Sequence, residues 1–193
     1  MPQKDCGGTG RKTERKLTQR YQRQLNVILV DYQIQSLCEQ GLLDPYDPEM
    51  INPASVDVRI GESAIIETEY GWREHELTQY TKEKPLWVEP KEFLLVATLE
   101  TFNLPNRVCG EFKLKSSRAR EGWNNCLAVW IDPKFVGSKL TMELINECRF
   151  TRLPLYPGLR IGQIILHPCN PPLRDYGMTG RYLGDMAVAG SKG

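Results

Sequence analysis

Most of the chain after residue 55 consists of short segments in which apolar and polar residues alternate. Val56, Val58 and Ile60 alternate with polar neighbours, which is the period of a strand with one buried face. Further strand candidates, separated by Pro and Gly, are 93–99, 108–114, 127–131, 140–145 and 160–166. The pattern predicts a mainly β domain, built as a sandwich or jelly roll.

One short helix is predicted before the strands begin. Asp31 is a candidate N-cap, and Ile34, Leu37 and Cys38 then fall on one helix face. Gly41 stands where a C-terminal glycine would end the helix. The apolar face predicts that this helix packs on the β domain.

Composition and charge narrow the class of protein. The chain has 193 residues with 40% hydrophobic and 25% charged residues, which favours one globular domain. No apolar stretch approaches the roughly 18 residues of a membrane span, so we expect no membrane contact. The basic N-terminus has no apolar signal segment and the six cysteines form no CxxC pair. We therefore expect a cytoplasmic protein with free thiols.

The first residues differ in charge from the rest. Residues 1–23 hold seven basic and two acidic side chains, a net charge of +5, while the chain as a whole carries +1. We interpret residues 1–26 as a basic flexible extension and residues 27–193 as the domain. A solvated or partner-packed extension is the preferred interpretation, and contact with nucleic acid is the alternative.

Zinc and serine-triad chemistry are not indicated by the sequence. The only histidines are His75 and His167, and neither belongs to an HExxH motif. Cys169 has no neighbouring cysteine to complete a PCxxC motif. No GxSxG segment is present either. The sequence therefore predicts no protein-bound metal.

Three segments between residues 111 and 166 carry polar groups at strand ends or on a strand face. Lys115–Ser117 follows a predicted strand, and an ammonium beside two hydroxyls suits phosphate oxygens. Asp132 stands at the end of another strand. Glu143 projects from the face opposite Leu140, Met142 and Leu144, which alternation places in the core. From alternation alone, Glu143 is a solvated strand residue.

Five segments in order resemble those of dCTP deaminases, which belong to the trimeric dUTPase superfamily. They are INPASVDVRIG at 51–61, KSSRAR at 115–120, IDP at 131–133, LTMELIN at 140–146 and PGLRIGQ at 157–163. The resemblance covers about residues 27–190. It implies a dUTPase-like distorted jelly roll assembled as a homotrimer, with sites between subunits and a C-terminal lid from about residue 171.

The resemblance also implies hydrolytic deamination of dCTP to dUTP and ammonia without zinc. Glu143 matches the family's glutamate, the proton shuttle between the attacking water, the ring and the departing ammonia. Ser116 and Arg120 match the residues that position the water and the tetrahedral centre. These three residues are the implied catalytic set.

The implied substrate contacts fall into three groups. Backbone groups around Ala128, Trp130 and Ile131 read the base edge, and Asp132 holds the 3′-hydroxyl. The triphosphate, carrying Mg²⁺, lies against Lys115, Ser116, Ser117 and Gln163. The lid contributes Tyr176, Arg181 and Tyr182, and dTTP is a candidate inhibitor.

The chain departs from the family pattern at several positions. Lys115 replaces an arginine, which keeps the charge but loses bidentate geometry. Asn125 replaces a histidine, Leu127–Val129 replaces a Thr-Ala-Gly stretch, and Asp185 replaces a glutamine. One additional residue separates Asp132 from Glu143, so a longer turn or a bulge is needed to keep Glu143 on its face.

Two alternatives remain open at this stage. The first is a dUTP diphosphatase, acting alone or after deamination, that releases dUMP. The second is a nucleotide-binding trimer without activity, since a fold does not fix a function.

Overall fold

The computed structural model describes residues 28–126, 128 and 130–193. The predicted basic extension, residues 1–26, lies outside the described residues. The helices are α1 (Asp31–Glu39), a 3₁₀ helix (Pro48–Met50), α2 (Ser116–Glu121) and α3 (Tyr176–Thr179). The strands are β1 (Leu43–Asp44), β2 (Ile51–Asn52), β3 (Ser55–Thr68), β4 (Gly71–Glu76), β5 (Leu86–Val88), β6 (Phe93–Asn103), β7 (Val108–Leu114), β8 (Trp123–Asn125), β9 (Trp130–Ile131), β10 (Val136–Asn146), β11 (Leu153–Leu155) and β12 (Arg160–Pro168).

The long strand β3 joins two halves of one curled sheet. Its first half pairs with β12 and its second half pairs with β4 and β6. The main path runs β8-β10-β6-β3-β12-β7-β9, and every neighbouring pair is antiparallel. A small second sheet pairs β11 with β5. The mainly β fold predicted from alternation is confirmed, whereas trimer assembly stays a prediction.

The helix α1 forms as predicted, but its N-cap lies one residue earlier in the chain than expected. Val30, not Asp31, is the cap, and its N–H donates to Gln33 Oε1 at 3.2 Å. Asp31 is the first helical residue and accepts from the N–H of Tyr32 at 2.8 Å. An acidic side chain in the first turn is favourable for the helix dipole even without capping. Ile34 and Cys38 are buried, as the periodicity predicts.

The core lies between the two halves of the curled sheet. Val56, Val58 and Ile60 of β3 are at most 1% exposed. They belong to one buried cluster that also includes Leu144 of β10 and Ile164 of the neighbouring strand β12. Within the described part of the chain, no helix is long and apolar enough to cross a membrane.

Two predicted segments differ from the structure. The strand expected at 127–131 is formed at Trp130–Ile131, and residues 127 and 129 lie outside the described residues. The segment after Leu114, for which the sequence pattern predicts no regular structure, is the helix α2. The helix ends at Gly122, whose φ of 111° lies in the left-handed region that only glycine adopts readily.

Candidate active site

A cleft of about 1030 Å³ lies on the outer face of the sheet formed by β3, β4, β6 and β10. Its floor is a row of neighbouring side chains across three strands: Ile65 opposes Leu95, and Leu95 opposes Glu143. Trp72 and Phe93 close one side and meet edge to face, with ring centroids 5.7 Å apart. Glu143 is therefore a carboxyl set in a largely apolar surface.

Glu143 reaches the cleft because β10 contains two irregularities. The register shifts between Val136 and Ser138 and again between Lys139 and Thr141. Each unpaired backbone N–H is satisfied by a side chain: Gly137 donates to Asn103 Oδ1 at 3.0 Å, and Leu140 donates to Thr98 Oγ1 at 3.0 Å. The additional residue between Asp132 and Glu143 is thus accommodated by bulges.

The bulges also change the prediction for Leu140. Alternation placed it in the core with Met142 and Leu144, which are at most 2% exposed. Leu140 is only half-buried and lines the cleft. A bulge turns the chain locally, so the alternation that holds after Thr141 does not extend back through residue 140.

The environment of Glu143 favours its protonated form. Burial raises the pKa of this carboxyl above its ordinary value, and a hydrogen bond with its own backbone partly opposes that shift. Directly after the adjoining strand β8, the Cys126 N–H donates to the Glu143 carbonyl at 3.2 Å, which fixes the backbone. A carboxyl in a cleft whose pKa is raised holds a proton more readily than an exposed carboxyl, which suits it to accept a proton and return it.

The opposite wall carries an acid held by an indole. Trp130 Nε1 donates to Asp132 Oδ1 at 3.1 Å, and Trp130 is 58% exposed. Ala128 also lines the cleft, whereas Ile131 is buried and faces the core. Asp132 thus lines the cleft with one carboxylate oxygen held by the indole.

Aromatic residues of the predicted lid complete this wall. Tyr176 meets Phe135 edge to face at 5.4 Å, and its hydroxyl accepts from the Tyr182 N–H at 3.3 Å. Burial, with smaller contributions from Asp132 and other neighbours, raises the pKa of Tyr176. The Tyr176 hydroxyl thus remains a neutral hydrogen-bonding group.

The C-terminal residues follow β10 and β3 of their own chain. Backbone N–H groups of Gly184, Val188 and Ala189 donate to hydroxyls of Ser138, Ser63 and Thr141, at 2.7, 2.9 and 3.2 Å respectively. The segment thereby forms one border of the cleft, to which Gly190 and Ser191 contribute.

Asp185 is paired within this segment. Lys192 Nζ donates to both carboxylate oxygens of Asp185, at 2.8 and 2.7 Å, and also to the carbonyl of Arg181 at 3.0 Å. The acid that departs from the family pattern is therefore compensated by a cation. The Arg181 side chain is exposed and, within the described residues, does not line the cleft.

The predicted phosphate contacts form a second group, apart from the cleft lining. Lys115 Nζ donates to both oxygens of Asp57 at 2.7 and 2.6 Å, and Asn52 donates to Asp57 Oδ1 at 2.8 Å. Gln163 Oε1 accepts from Ser55 Oγ at 2.7 Å. A lysine ammonium has three donors, so one remains for a phosphate oxygen.

The helix α2 presents the remaining predicted residues on the surface. Ser116, Ser117 and Arg120 are exposed. Of the residues that the structure describes, those lining the cleft include none of these three, nor Lys115 or Gln163. Within a single chain, the three predicted catalytic residues are therefore not together. Glu143 is in the cleft, whereas Ser116 and Arg120 are outside it.

Sequence reasoning missed the role of Asp57. Alternation places it on a solvent-facing side of β3, but it is only 3% exposed. Arg59, the next residue on that face, pairs with buried Glu100 at 2.6 Å. The sequence did contain a signal for these buried ion pairs. Asp57 and Arg59 stand on the same face of a strand, where they alternate with Val and Ile, and two charges so placed need partners if they are buried.

No cluster of three or more His, Cys, Asp or Glu side chains suited to a metal occurs in the described part of the chain. The four carboxylates among the described residues that line the cleft, Glu74, Asp132, Glu143 and Asp185, do not form such a cluster either. Magnesium carried by a nucleotide triphosphate stays an expectation.

Comparison with known proteins finds dCTP deaminases both by family model and by sequence identity. The family model described as dCTP deaminase-like matches residues 28–169. The chain is 33% identical over 184 residues to a dCTP deaminase, dUMP-forming, of Corynebacterium efficiens, covering 86% of this chain and 94% of the relative. It is 32% identical over 167 residues to a dCTP deaminase of Pyrococcus horikoshii, covering 86% of this chain and 97% of the relative.

A solved structure shares the fold. The 2′-deoxycytidine 5′-triphosphate deaminase of Agrobacterium tumefaciens superposes with a TM-score of 0.61 and 20% sequence identity. The match covers 74% of this chain and 49% of that chain, so this protein spans about half the length of the solved structure.

Proposed function

The chain belongs to the dCTP deaminase-like family, and from that premise we propose that it hydrolyses the 4-amino group of dCTP to give dUTP and ammonia. The observation that carries the proposal is the placement of Glu143. Its carboxyl lines the cleft, with a pKa raised by burial, at the position that matches the family's glutamate. A proton carrier is thus set where a small planar base can reach it.

The proton transfers follow from this carboxyl. As the oxygen of water bonds to C4 of cytosine, the Glu143 carboxylate takes one proton from that water and passes it to N3. The remaining water proton then goes by the same carboxyl to the amino nitrogen. The C4–N bond breaks, ammonia leaves and a C4 carbonyl remains. One residue serves as base and acid, for which a raised pKa is suitable.

Substrate binding uses the wall opposite Glu143. The free oxygen of Asp132 accepts from the 3′-hydroxyl of the sugar, while Trp130 holds the other oxygen. The backbone around Ala128 meets the base edge, and Tyr176 and Tyr182 cover the ligand. Apolar floor residues exclude bulk water, which strengthens each of these hydrogen bonds.

The active site is proposed to form between copies of the chain in a homotrimer. Ser116, Ser117 and Arg120 are exposed on α2 and lie outside the cleft lining of their own chain. A heterologous contact that places α2 of one copy at the cleft of the next would unite the two groups. Lys115 and Gln163 would then meet the triphosphate, whose oxygens carry Mg²⁺ as part of the substrate.

The first test follows ammonia and resolves dCTP, dUTP and dUMP after incubation with dCTP and magnesium. Glu143→Gln should lose turnover while retaining nucleotide binding. Glu74→Gln is the matched control, because Glu74 also lines the cleft but is exposed on β4. Turnover that survives in Glu143→Gln would contradict the assignment, and binding without any turnover in the unaltered protein would favour a nucleotide-binding role.

A second test addresses the shared site. Glu143→Gln and Ser116→Ala proteins, each inactive alone, are unfolded together and refolded as a mixture. If each site draws these residues from different copies, activity should return to about a quarter of the unaltered level by random assembly. No recovery in a correctly assembled mixture would place both residues in one chain's site.

Formation of dUMP is the second candidate function. Relatives named dCTP deaminase, dUMP-forming, match at 33% and 34% identity over 86% and 80% of this chain. A second hydrolysis would release diphosphate after deamination. In the same assay, accumulating dUTP supports the deaminase alone, whereas dUMP with diphosphate supports the two-step reaction.

A further inference from the structure

Two cysteines are diagonal neighbours at the edge where β7 begins and β12 ends. The register pairs Cys109 with His167, and Cys169 follows His167 by two residues. Side chains two residues apart on a strand point to the same face, so Cys109 and Cys169 are diagonal neighbours. The Cys169 N–H donates to the Arg107 carbonyl at 2.8 Å, which keeps this pairing past the end of β12.

The side chains of Cys109 and Cys169 are close enough to interact electrostatically, and the Cys109 sulfur donates to the His167 carbonyl at 3.5 Å. Cys109 is buried and Cys169 is half-buried, and both are free. The pair thus joins a sheltered thiol to one that solvent can reach.

We propose that Cys109 and Cys169 form a reversible intramolecular disulfide when the protein meets a low-molecular-weight disulfide such as oxidised glutathione. The site goes beyond the proposed deamination and does not depend on it. Under reducing conditions cysteine thiols stay free. A neighbouring pair of thiols is then a redox-sensitive modification site and not a permanent cross-link.

The chemistry balances in two exchange steps. The Cys169 thiolate attacks one sulfur of oxidised glutathione, and the other sulfur leaves as a thiolate that takes up a proton. The Cys109 thiolate then attacks the Cys169 sulfur of the mixed disulfide and expels the second glutathione. Two cysteines are oxidised, one disulfide is reduced, and two glutathione thiols are released.

The order of attack follows from the surroundings of each thiol. Burial, together with the neighbouring Cys169, raises the pKa of Cys109 to about 11. A buried thiol with a raised pKa is a poor first nucleophile. Cys169 is the accessible partner, so it reacts first and Cys109 resolves the mixed disulfide.

The disulfide would alter a wall of the cleft. Oxidation removes the S–H that Cys109 donates to the His167 carbonyl. The His167 ring stacks on Trp130, with centroids 6.1 Å apart and an interplanar angle of 29°. Trp130 in turn holds Asp132. Two residues, His167 and Trp130, thus connect the cysteine pair to the proposed sugar-binding acid.

The test uses the full chain, reduced and then equilibrated with glutathione buffers of increasing oxidised fraction. Tryptic digestion without reduction separates a peptide of residues 108–113 from one of residues 161–174, which contain the two cysteines. We expect these peptides to become cross-linked, with the loss of two thiols and two hydrogen atoms, and to separate again on reduction. Trp130 emission should shift in the oxidised protein, and Trp130→Phe should remove that shift.

Matched variants identify the pair. Cys169→Ser should prevent the cross-link, whereas Cys148→Ser, which changes another half-buried thiol, should leave it unchanged. Cys109→Ala, which retains an apolar side chain at this buried position, should likewise prevent the cross-link. Glutathione that stays on Cys169 in the unaltered protein, or a cross-link that persists in Cys169→Ser, would overturn the proposal.

Discussion

The buried ion pair between Lys115 and Asp57 gives an asymmetric prediction. Lys115→Met would leave the Asp57 carboxylate, whose side chain is 3% exposed, with only the Asn52 amide as a partner. Removing one partner of a buried pair costs about 3–5 kcal/mol. Since Lys115 is itself 25% exposed and the Asn52 hydrogen bond remains, we expect the lower end, about 3 kcal/mol.

The reciprocal variant should be milder. In Asp57→Asn the Lys115 ammonium can turn toward water, and the new amide oxygen can still accept one hydrogen bond. The free energy of unfolding should fall by about 1–2 kcal/mol, because this variant loses a charge-assisted hydrogen bond but leaves no buried charge unpaired. The double variant should have nearly the same free energy of unfolding as Asp57→Asn. Once the carboxylate is an amide, Lys115→Met no longer leaves a buried charge without its partner.

The assay is urea unfolding followed by tryptophan fluorescence, at one protein concentration because association shifts apparent stability. For a chain of this size, about 3 kcal/mol corresponds to a fall in Tm of roughly 6–12 °C. The reasoning would be refuted if Asp57→Asn were as destabilising as Lys115→Met, or if the two changes were additive to within about 0.5 kcal/mol.

Three further changes test separate features. Gly162→Ala would place a methyl group against the buried Phe112 ring, so the urea midpoint should fall by the equivalent of about 1–3 kcal/mol, and an unchanged midpoint would contradict the packing. Lys192→Met leaves Asp185 uncompensated at the cleft border, so KM for dCTP should rise, and Asp185→Asn in the same chain should restore it. Because the folded-state pKa of Glu143 is raised, its ionisation opposes folding as pH increases: Glu143→Gln should be more stable than the unaltered chain at neutral pH, with the difference vanishing below the ordinary glutamate pKa near ~4.3. The acidic limb of kcat against pH should likewise lie above that value.

Alternation along the chain predicted the strands that build the core, because Val56, Val58 and Ile60 need a buried face whatever their partners are. It could not predict β4, whose side chains are nearly all exposed and give no periodic signal. The strands β5 and β11 have three residues each, too few for a period to be recognised.

Of the predicted catalytic residues, the structure places Glu143 in the cleft and Ser116 and Arg120 outside it. The motif resemblance singled out Glu143, but only the tertiary structure shows that Thr98 and Asn103 stabilise the bulges that set its direction. Alternation alone would leave Asp57 on the exposed face of β3, because the pattern carries no information on a lysine 58 positions away. Such long-range ion pairs depend on topology, not on local pattern.

The path of the C-terminal segment separates two kinds of concentration dependence. Gly184, Val188 and Ala189 bind hydroxyls of their own chain, so opening and closing of this segment is a unimolecular equilibrium. Its position is the same in a dilute and a concentrated solution. The proposed delivery of Ser116 by a second copy is an association, which would decline on dilution. Loss of turnover on dilution would therefore report on assembly, whereas the effect of changing Lys192 should be the same at every protein concentration.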